Sequence, residues 1–399
     1  MRYFIKKTNQ SIISKAFFYG FTAFVFLRLF TSIVLLIGIF FPRPDFTFVE
    51  ITQNNIESLE QRSQFSKLFL APWYRWDTGH YIEVADYGYD FDPVNSVWPP
   101  LYPFLIKVTS FIFKPTLLAA LIVSNLFFII GLALFFLLTK EMFSEELSKE
   151  SIFYLLFFPT SFYFVAGFTE SIFLTFSIAV FLFIRRKKWL LAGIFCFLAT
   201  LTRVQGLFLI IPVLFELALT YKKERDLKAF LMNSIPSVYA PFAYGLFSLY
   251  VFFGLRNPWP WHTLSENWGL HFGFPWEGIV GTVQLLFGKQ VEYDVTPHLV
   301  KVVNLVITFL AIFLLYKLRK KIPVSMSIYS WVMLLVAIGK IDENNVLVSV
   351  TRYVLIIFPL FWGLALLIKQ RYQKILYFVT GIILQIILLV SFYWWFWVA

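Results

Sequence analysis

From Phe17 to Trp397 the chain passes through one long apolar stretch after another, and its lysines and arginines collect in the short segments between them. About 20 apolar residues cross the hydrocarbon of a bilayer as a helix, so this pattern limits the fold before any motif is read. Continuous candidates fall at 17–41, 117–139, 228–255, 299–316, 346–368 and 375–397. Four shorter ones, 151–166, 168–184, 189–203 and 206–221, follow each other closely, and another, 322–340, comes after the cluster Lys317 to Lys321. Hydrophobic residues make up 59% of the chain and charged ones 14%, against roughly 45–50% and about 25% in a soluble domain. So much apolar surface needs lipid to cover it. The net charge of +11 does not mark a nucleic-acid binder, because the basic residues sit in loops between apolar segments. The first stretch is too long for a secretory signal core and reads as an uncleaved span. Cys196 is the only cysteine and lies in an apolar run, so no internal disulfide can form.

The basic clusters set the orientation. They are Arg2/Lys6/Lys7, Arg185 to Lys188, Lys222/Lys223/Arg225, Lys317/Arg319/Lys320/Lys321 and Lys369/Arg371/Lys374. All five face the cytoplasm if Pro99 to Phe113, which is short and carries Pro100, Pro103 and Lys107, lies on the outer surface as an interfacial helix. The expectation is one all-α polytopic membrane unit over 1–399 with eleven spans, the N-terminus inside and the C-terminus outside. Two large outer loops, 42–116 and 256–298, cover it. The first holds nine acidic residues against six basic ones, unlike a cytoplasmic loop.

The unusual polar residues fall toward the outer side. Asp77, His80, Glu83 and Asp86 lie in the first outer loop, and Glu170, Arg203, Gln205 and Arg352 lie at or near outer ends of spans. All four histidines (His80, His262, His271 and His298) are in expected outer segments. Ionisable groups within spans usually face a cavity or a partner. The segment from Trp73 to Tyr81 mixes aromatic rings with Asp77 and His80. A carboxylate there can take a proton from a hydroxyl acceptor. It can also cap a short helix running to Asp86 and ended by Gly88, or ligate a metal. Glu170, after Thr169, suits a helix's first turn. Arg203 and Arg352 suit either bidentate phosphate contact or ion pairs with Glu170, Asp342 or Glu343.

At these residues the sequence resembles the PIG-V-type mannosyltransferases. The resemblance rests on RWDTGHY around Asp77, Ala85-Asp86-Tyr87-Gly88-Tyr89 and WPPLYPFLIK at Trp98 to Lys107. It continues with FFPTSFYFVAGFTES at Phe157 to Ser171, LATLTRVQGL at Leu198 to Leu207 and SVTRYVLIIFPLF at Ser349 to Phe361, in the family's order. Trp98-Pro99 stands where the family usually reads Phe-Phe-Pro. The resemblance implies a C-type glycosyltransferase fold and mannose transfer from dolichyl-phosphate mannose, which that family uses on a glycosylphosphatidylinositol precursor. It aligns Asp77 with the catalytic base and the outer arginines with donor-phosphate contacts. The short chain, with no Asn-x-Ser/Thr sequon in an outer segment, points to a relative in a bacterial cell membrane rather than the endoplasmic reticulum.

The combined reading is an inverting hexosyltransferase working at the extracytoplasmic face. It takes a sugar, mannose first, from a polyprenyl-phosphate-linked donor to a hydroxyl on a lipid or glycan acceptor. Asp77 is the expected base, and Arg352, Arg203, His80, Glu170, Gln205 and Trp76 the expected donor- and substrate-binding residues. No metal, cofactor or nucleic-acid partner is expected, and no phosphate-binding glycine loop is present. A transporter or lipid flippase is the alternative, but such proteins often have repeated halves, and the first outer loop has no counterpart in the second half.

Overall fold

A computed structural model describes residues 2–40, 63–288, 296–342 and 346–398. Residues 41–62 and 289–295 of the outer loops, and Glu343, lie outside the described residues, as do the side chains of Arg2, Lys6 and Lys7. Helices dominate: α1 (Arg2–Gly38), α2 (Asp77–Tyr87), α3 (Leu101–Ser110), α4 (Thr116–Met142), α5 (Glu145–Leu156), α6 (Glu170–Arg185), α7 (Trp189–Thr202), α8 (Ile210–Glu224), α9 (Leu227–Ser234) and α10 (Tyr239–Leu249). They continue with α11 (Pro260–Glu266), α12 (Pro275–Leu286), α13 (His298–Leu318), α14 (Val324–Gly339), α15 (Val350–Val354), α16 (Pro359–Leu367) and α17 (Arg371–Tyr393). Two short strands, β1 (His271–Phe272) and β2 (Lys340–Ile341), pair antiparallel and tie the second outer loop to the end of α14.

Among the described residues, six helical segments are long and apolar enough to cross a membrane: Ser11–Gly38, Thr116–Met142, Val204–Glu224, Leu227–Gly254, His298–Leu318 and Arg371–Tyr393. They turn rows of apolar side chains outward, as on α1 with Phe18, Phe21, Leu29 and Ile33, which fits a lipid-facing surface. The centre is different. Helix α6 has 16 residues, about 24 Å at 1.5 Å per residue, and every residue from Glu170 to Leu182 is buried. Enclosed by protein, it need not match the bilayer's thickness. It approaches α4 closely at Gly131, where an added Cβ would lie 2.6 Å from Thr175 Oγ1; Thr175 Oγ1 also donates to the Phe127 carbonyl at 2.7 Å. Small residues at such crossings let helices pack without a hydrophobic drive.

The expected count of eleven spans exceeds these six continuous helices, and two expected spans are broken. Segment 151–166 leaves α5 at Leu156, passes Pro159 and resumes as a 3₁₀ turn at Ser161–Val165. Segment 346–368 splits into α15 and α16, with Pro359 as the first residue of α16. Proline lacks an N–H and disfavours helix in the residue before it. In an apolar interior the freed carbonyls need partners, and side chains from distant elements supply them. Gln385 Nε2 donates to the Leu156 and Phe158 carbonyls at 3.2 and 3.1 Å. Tyr329 donates to Ile356 O at 2.5 Å, and Arg28 to Val165 O at 3.0 Å. The two breaks also meet each other, because Thr160 Oγ1 donates to Thr351 O at 3.0 Å.

The charges separate to two ends. At one end Glu145 meets Lys140 and Lys15 at 2.7 and 3.1 Å, while Arg186 pairs with Glu141, Lys187 with Glu224, and Lys374 with Glu150. This basic end corresponds to the expected cytoplasmic side. At the other end lie α2, α3 and the second outer loop. Helix α3 has ten residues, too short to span, and buries Tyr102 and Ile106 while exposing Phe104 and Val108; that is the shape expected of an interfacial helix. The two outer loops touch where Ser96 Oγ donates to Thr263 Oγ1 at 3.2 Å and Trp268 Nε1 donates to Val94 O at 3.3 Å.

Candidate active site

Asp77 is the first residue of α2, and Glu170 the first of α6. Carboxylates are favoured in a helix's first turn, where peptide N–H groups face outward. The helix-cap reading of Asp77 does not describe its contacts: Trp76 holds the cap position, and no side chain makes a capping hydrogen bond there. The Asp77 carboxylate turns instead to Arg352, whose NH1 lies 2.6 Å from Oδ2. The same guanidinium donates through Nε to Glu170 Oε1. One fork thus bridges the starts of two helices.

Arg203 completes the cluster. Its NH1 donates to Glu170 Oε1 and, at 3.0 Å, to Thr169 Oγ1. The pairing with Glu170 expected for an outer arginine is present for both Arg203 and Arg352. Asp77, Glu170, Arg203 and Arg352 are all buried, so their charges are balanced in a poorly solvated place. Glu170 Oε2 is buried and has no hydrogen-bond partner among the described residues. The Arg352 guanidinium also sits 4.5 Å from the Phe168 ring centre. Tyr81, one turn along α2 from Asp77, reaches Thr169 Oγ1 at 3.3 Å. Burial, and then the Asp77 charge, pushes its phenol well above the ordinary range, so it stays a neutral hydrogen-bonding group.

His80 belongs to a neighbouring group rather than to the ion network. Its Nδ1 lies 2.8 Å from Asn95 Oδ1, Asn95 Nδ2 donates to Glu83 at 3.1 Å, and its ring packs against Trp98 and Trp268 at 5.8 and 5.1 Å. This aromatic group joins the two outer loops. Gln205 lies half-buried in the 3₁₀ turn Val204–Leu209 beside Arg203. Asp86, expected near the site, accepts from Thr116 at 2.9 Å at the far end of α2. Among the described residues no group of three or more His, Cys, Asp or Glu is placed to hold a metal.

Trp76 packs on Trp395 and Trp397 at 5.6 and 4.8 Å and has a backbone φ of 51°. Positive φ is rare for a bulky residue and often marks functional segments; here it turns the chain into α2 and sets Asp77. Arg75 was missed in the sequence. Buried, it donates to Tyr393 O at 2.9 Å and to Ala71 O and Tyr74 O at 2.9 and 2.8 Å, and it lies 4.9 Å from the Trp395 ring centre. It fastens the Asp77 loop to the end of α17. A tryptophan-rich terminus beside no charge of its own was the available signal. Also missed were Tyr353, whose ring centre lies 5.0 Å from the Arg203 guanidinium carbon, and Lys340, which bonds the Tyr353 hydroxyl.

The family profile described as dolichyl-phosphate-mannose-protein mannosyltransferase matches residues 97–250, less than half of the chain. "GPI mannosyltransferase 2" of Schizosaccharomyces pombe is 30% identical over 172 residues, 41% of this chain and 36% of that protein. The chain therefore aligns with little over a third of that relative's length. No solved structure matches the chain. Both matches fall on mannosyltransferases and support the resemblance to the PIG-V-type family drawn from the motifs. The class is a multi-pass, predominantly helical membrane protein, similar over part of its length to mannosyltransferases.

Proposed function

We propose that the chain is an inverting glycosyltransferase that moves a hexose, mannose first, from a polyprenyl-phosphate-linked donor to a hydroxyl acceptor at the extracytoplasmic face. The observation that carries this reading is the buried Asp77–Arg352–Glu170–Arg203 network under the outer loops, in a chain similar to mannosyltransferases. Arg352 NH1 holds Asp77 at Oδ2, 2.6 Å away. Asp77 accepts the acceptor hydroxyl's proton as that oxygen bonds to the anomeric carbon. The bond from that carbon to the phosphate oxygen breaks, and its electron pair leaves with the phosphate, already stable as an anion. One displacement inverts the anomeric centre, and no general acid is required.

The outer arginines supply positive charge toward the donor phosphate, Arg352 also positioning Asp77. Trp76, His80 and Gln205 line the approach for sugar and acceptor. The aromatic rings that join the loops suit a sugar face. The bacterial cell membrane is proposed as the setting because no Asn-x-Ser/Thr sequon falls in an expected outer segment, although the relative named above is a yeast protein.

Purified protein in detergent, given polyprenyl-phosphate mannose and an acceptor lipid, tests the reading. Transfer with the anomeric configuration opposite to the donor's supports it. Transfer only from a nucleotide sugar, or with retained configuration, overturns it.

A further inference from the structure

Helix α15 carries two neighbouring residues in different directions. Arg352 enters the carboxylate pair, while the next residue, Tyr353, meets two other cations. Its hydroxyl accepts a hydrogen bond from Lys340 Nζ at 2.8 Å, and its ring centre lies 5.3 Å from that ammonium and 5.0 Å from the Arg203 guanidinium carbon. Lys340 is half-buried at the start of β2, where its backbone is paired with Phe272 of the second outer loop. Its position is therefore fixed by a ladder rather than by a free loop.

The charges in this cluster do not cancel. Asp77 and Glu170 are two carboxylates, and Arg203, Arg352 and Lys340 are three cations. The two arginines are bonded to those acids. Among the described residues Lys340 meets no carboxylate; its hydrogen-bond partner is the Tyr353 hydroxyl. A partly buried ammonium with no carboxylate partner among the described residues, held near a second cation on one aromatic ring, is a place for an anion to enter.

We infer that Lys340 and Arg203, with the Tyr353 ring between them in the contact chain, form the seat of the donor's phosphodiester. This rests on the proposed polyprenyl-phosphate donor. A phosphodiester carries one negative charge, which matches the one cation in excess among the described residues. The seat adjoins Arg352, so an anion there is one residue along α15 from the group that holds Asp77. After transfer the carrier is a phosphomonoester with a charge of about −1.5 to −2, and the same seat holds this product more strongly. The leaving phosphate thus acts as a competitive inhibitor.

The test measures transfer kinetics of full-length protein with polyprenyl-phosphate mannose, and inhibition by polyprenyl phosphate. Lys340→Gln should raise donor KM on the order of 10- to 100-fold, the usual weight of a charge-assisted contact, with kcat within about threefold at saturating donor. It should raise the inhibition constant of polyprenyl phosphate by at least as much. Lys340→Arg should restore both to near wild-type values, a rescue that a merely structural role for Lys340 would not give in KM alone. If Lys340→Gln loses its fold, Tyr353→Phe keeps the ring, removes the hydroxyl that holds the ammonium, and should still raise donor KM several-fold. Wild-type donor KM in both Lys340→Gln and Tyr353→Phe overturns the seat while leaving the donor class standing. Absence of transfer by wild-type protein from any polyprenyl-phosphate sugar overturns the donor class, and the seat with it.

Discussion

The two ends of the bundle use the same side chains for different physics. At the basic end, Glu145 lies beside Lys140, Lys15 and Lys149 within reach of water. At the site end, Asp77 and Glu170 share Arg352 with almost no exposure. The distances are similar, but solvent is not. Exposed pairs are worth about 0–1 kcal/mol because water and salt screen them. A buried ion pair gains little over an apolar pair, yet removing one partner costs about 3–5 kcal/mol because the other charge is stranded. The basic end therefore records where water begins, whereas the site end fixes one arrangement of α2, α6 and α15.

The contrast is sharpest at Asp77. Asp77→Asn should lower turnover by on the order of 10² to 10⁴ while donor binding, measured in parallel, persists. Turnover near wild type would move the base elsewhere and make Asp77 only a partner for Arg352. Next in size is Glu170→Ala, which strands Arg203 and leaves Arg352 with Asp77 alone. It should destabilise the protein by about 3–5 kcal/mol, read as lower melting temperature in detergent. A neutral result would mean that water reaches the network and that the contrast between the ends fails.

Arg352→Lys keeps the charge but removes the fork joining Asp77 to Glu170. A loss of roughly tenfold in kcat/KM, the weight of one charge-assisted hydrogen bond, is expected; wild-type kinetics would show that a point charge suffices. The smallest effect belongs to the basic end. Hydrogen bonds from Lys140 and then Lys15 hold the Glu145 carboxyl down at about 2, against an ordinary 4.5. A depressed carboxyl stabilises above its unfolded pKa, so this contribution is present above about pH 4.5 and fades as pH falls toward 2. Glu145→Gln should shift the melting temperature at neutral pH by no more than about 2 °C, and a larger drop would mean the basic end is more than a solvated rim.

Much of this was readable along the chain. Apolar length and basic clusters are local properties, and they pointed to the membrane-spanning class, the gathering of charge at one end and a short helix within Pro99 to Phe113. The helix ended by Gly88 was also legible, because glycine suits the positive φ of 83° found there. Hydropathy alone read 151–166 and 346–368 as continuous, although each is broken at a proline. It could not show that Gln385, Tyr329 and Arg28 arrive from elsewhere to satisfy the broken backbone.

The site divides in the same way. Sequence selected Asp77, Glu170, Arg203 and Arg352 as costly groups near one surface, and left cap, ion pair and ligand contact as open roles. Tertiary structure decided which groups meet: Arg352 bonds Glu170 across 182 positions of sequence, and Arg75 reaches Tyr393 across 318. It also separated His80 from the network and brought Lys340 to Tyr353. Hydropathy and helix signals act within a turn or a span, so they are written locally. Compensation of a buried charge depends on whichever group packing brings within about 3 Å, and only the folded chain determines that.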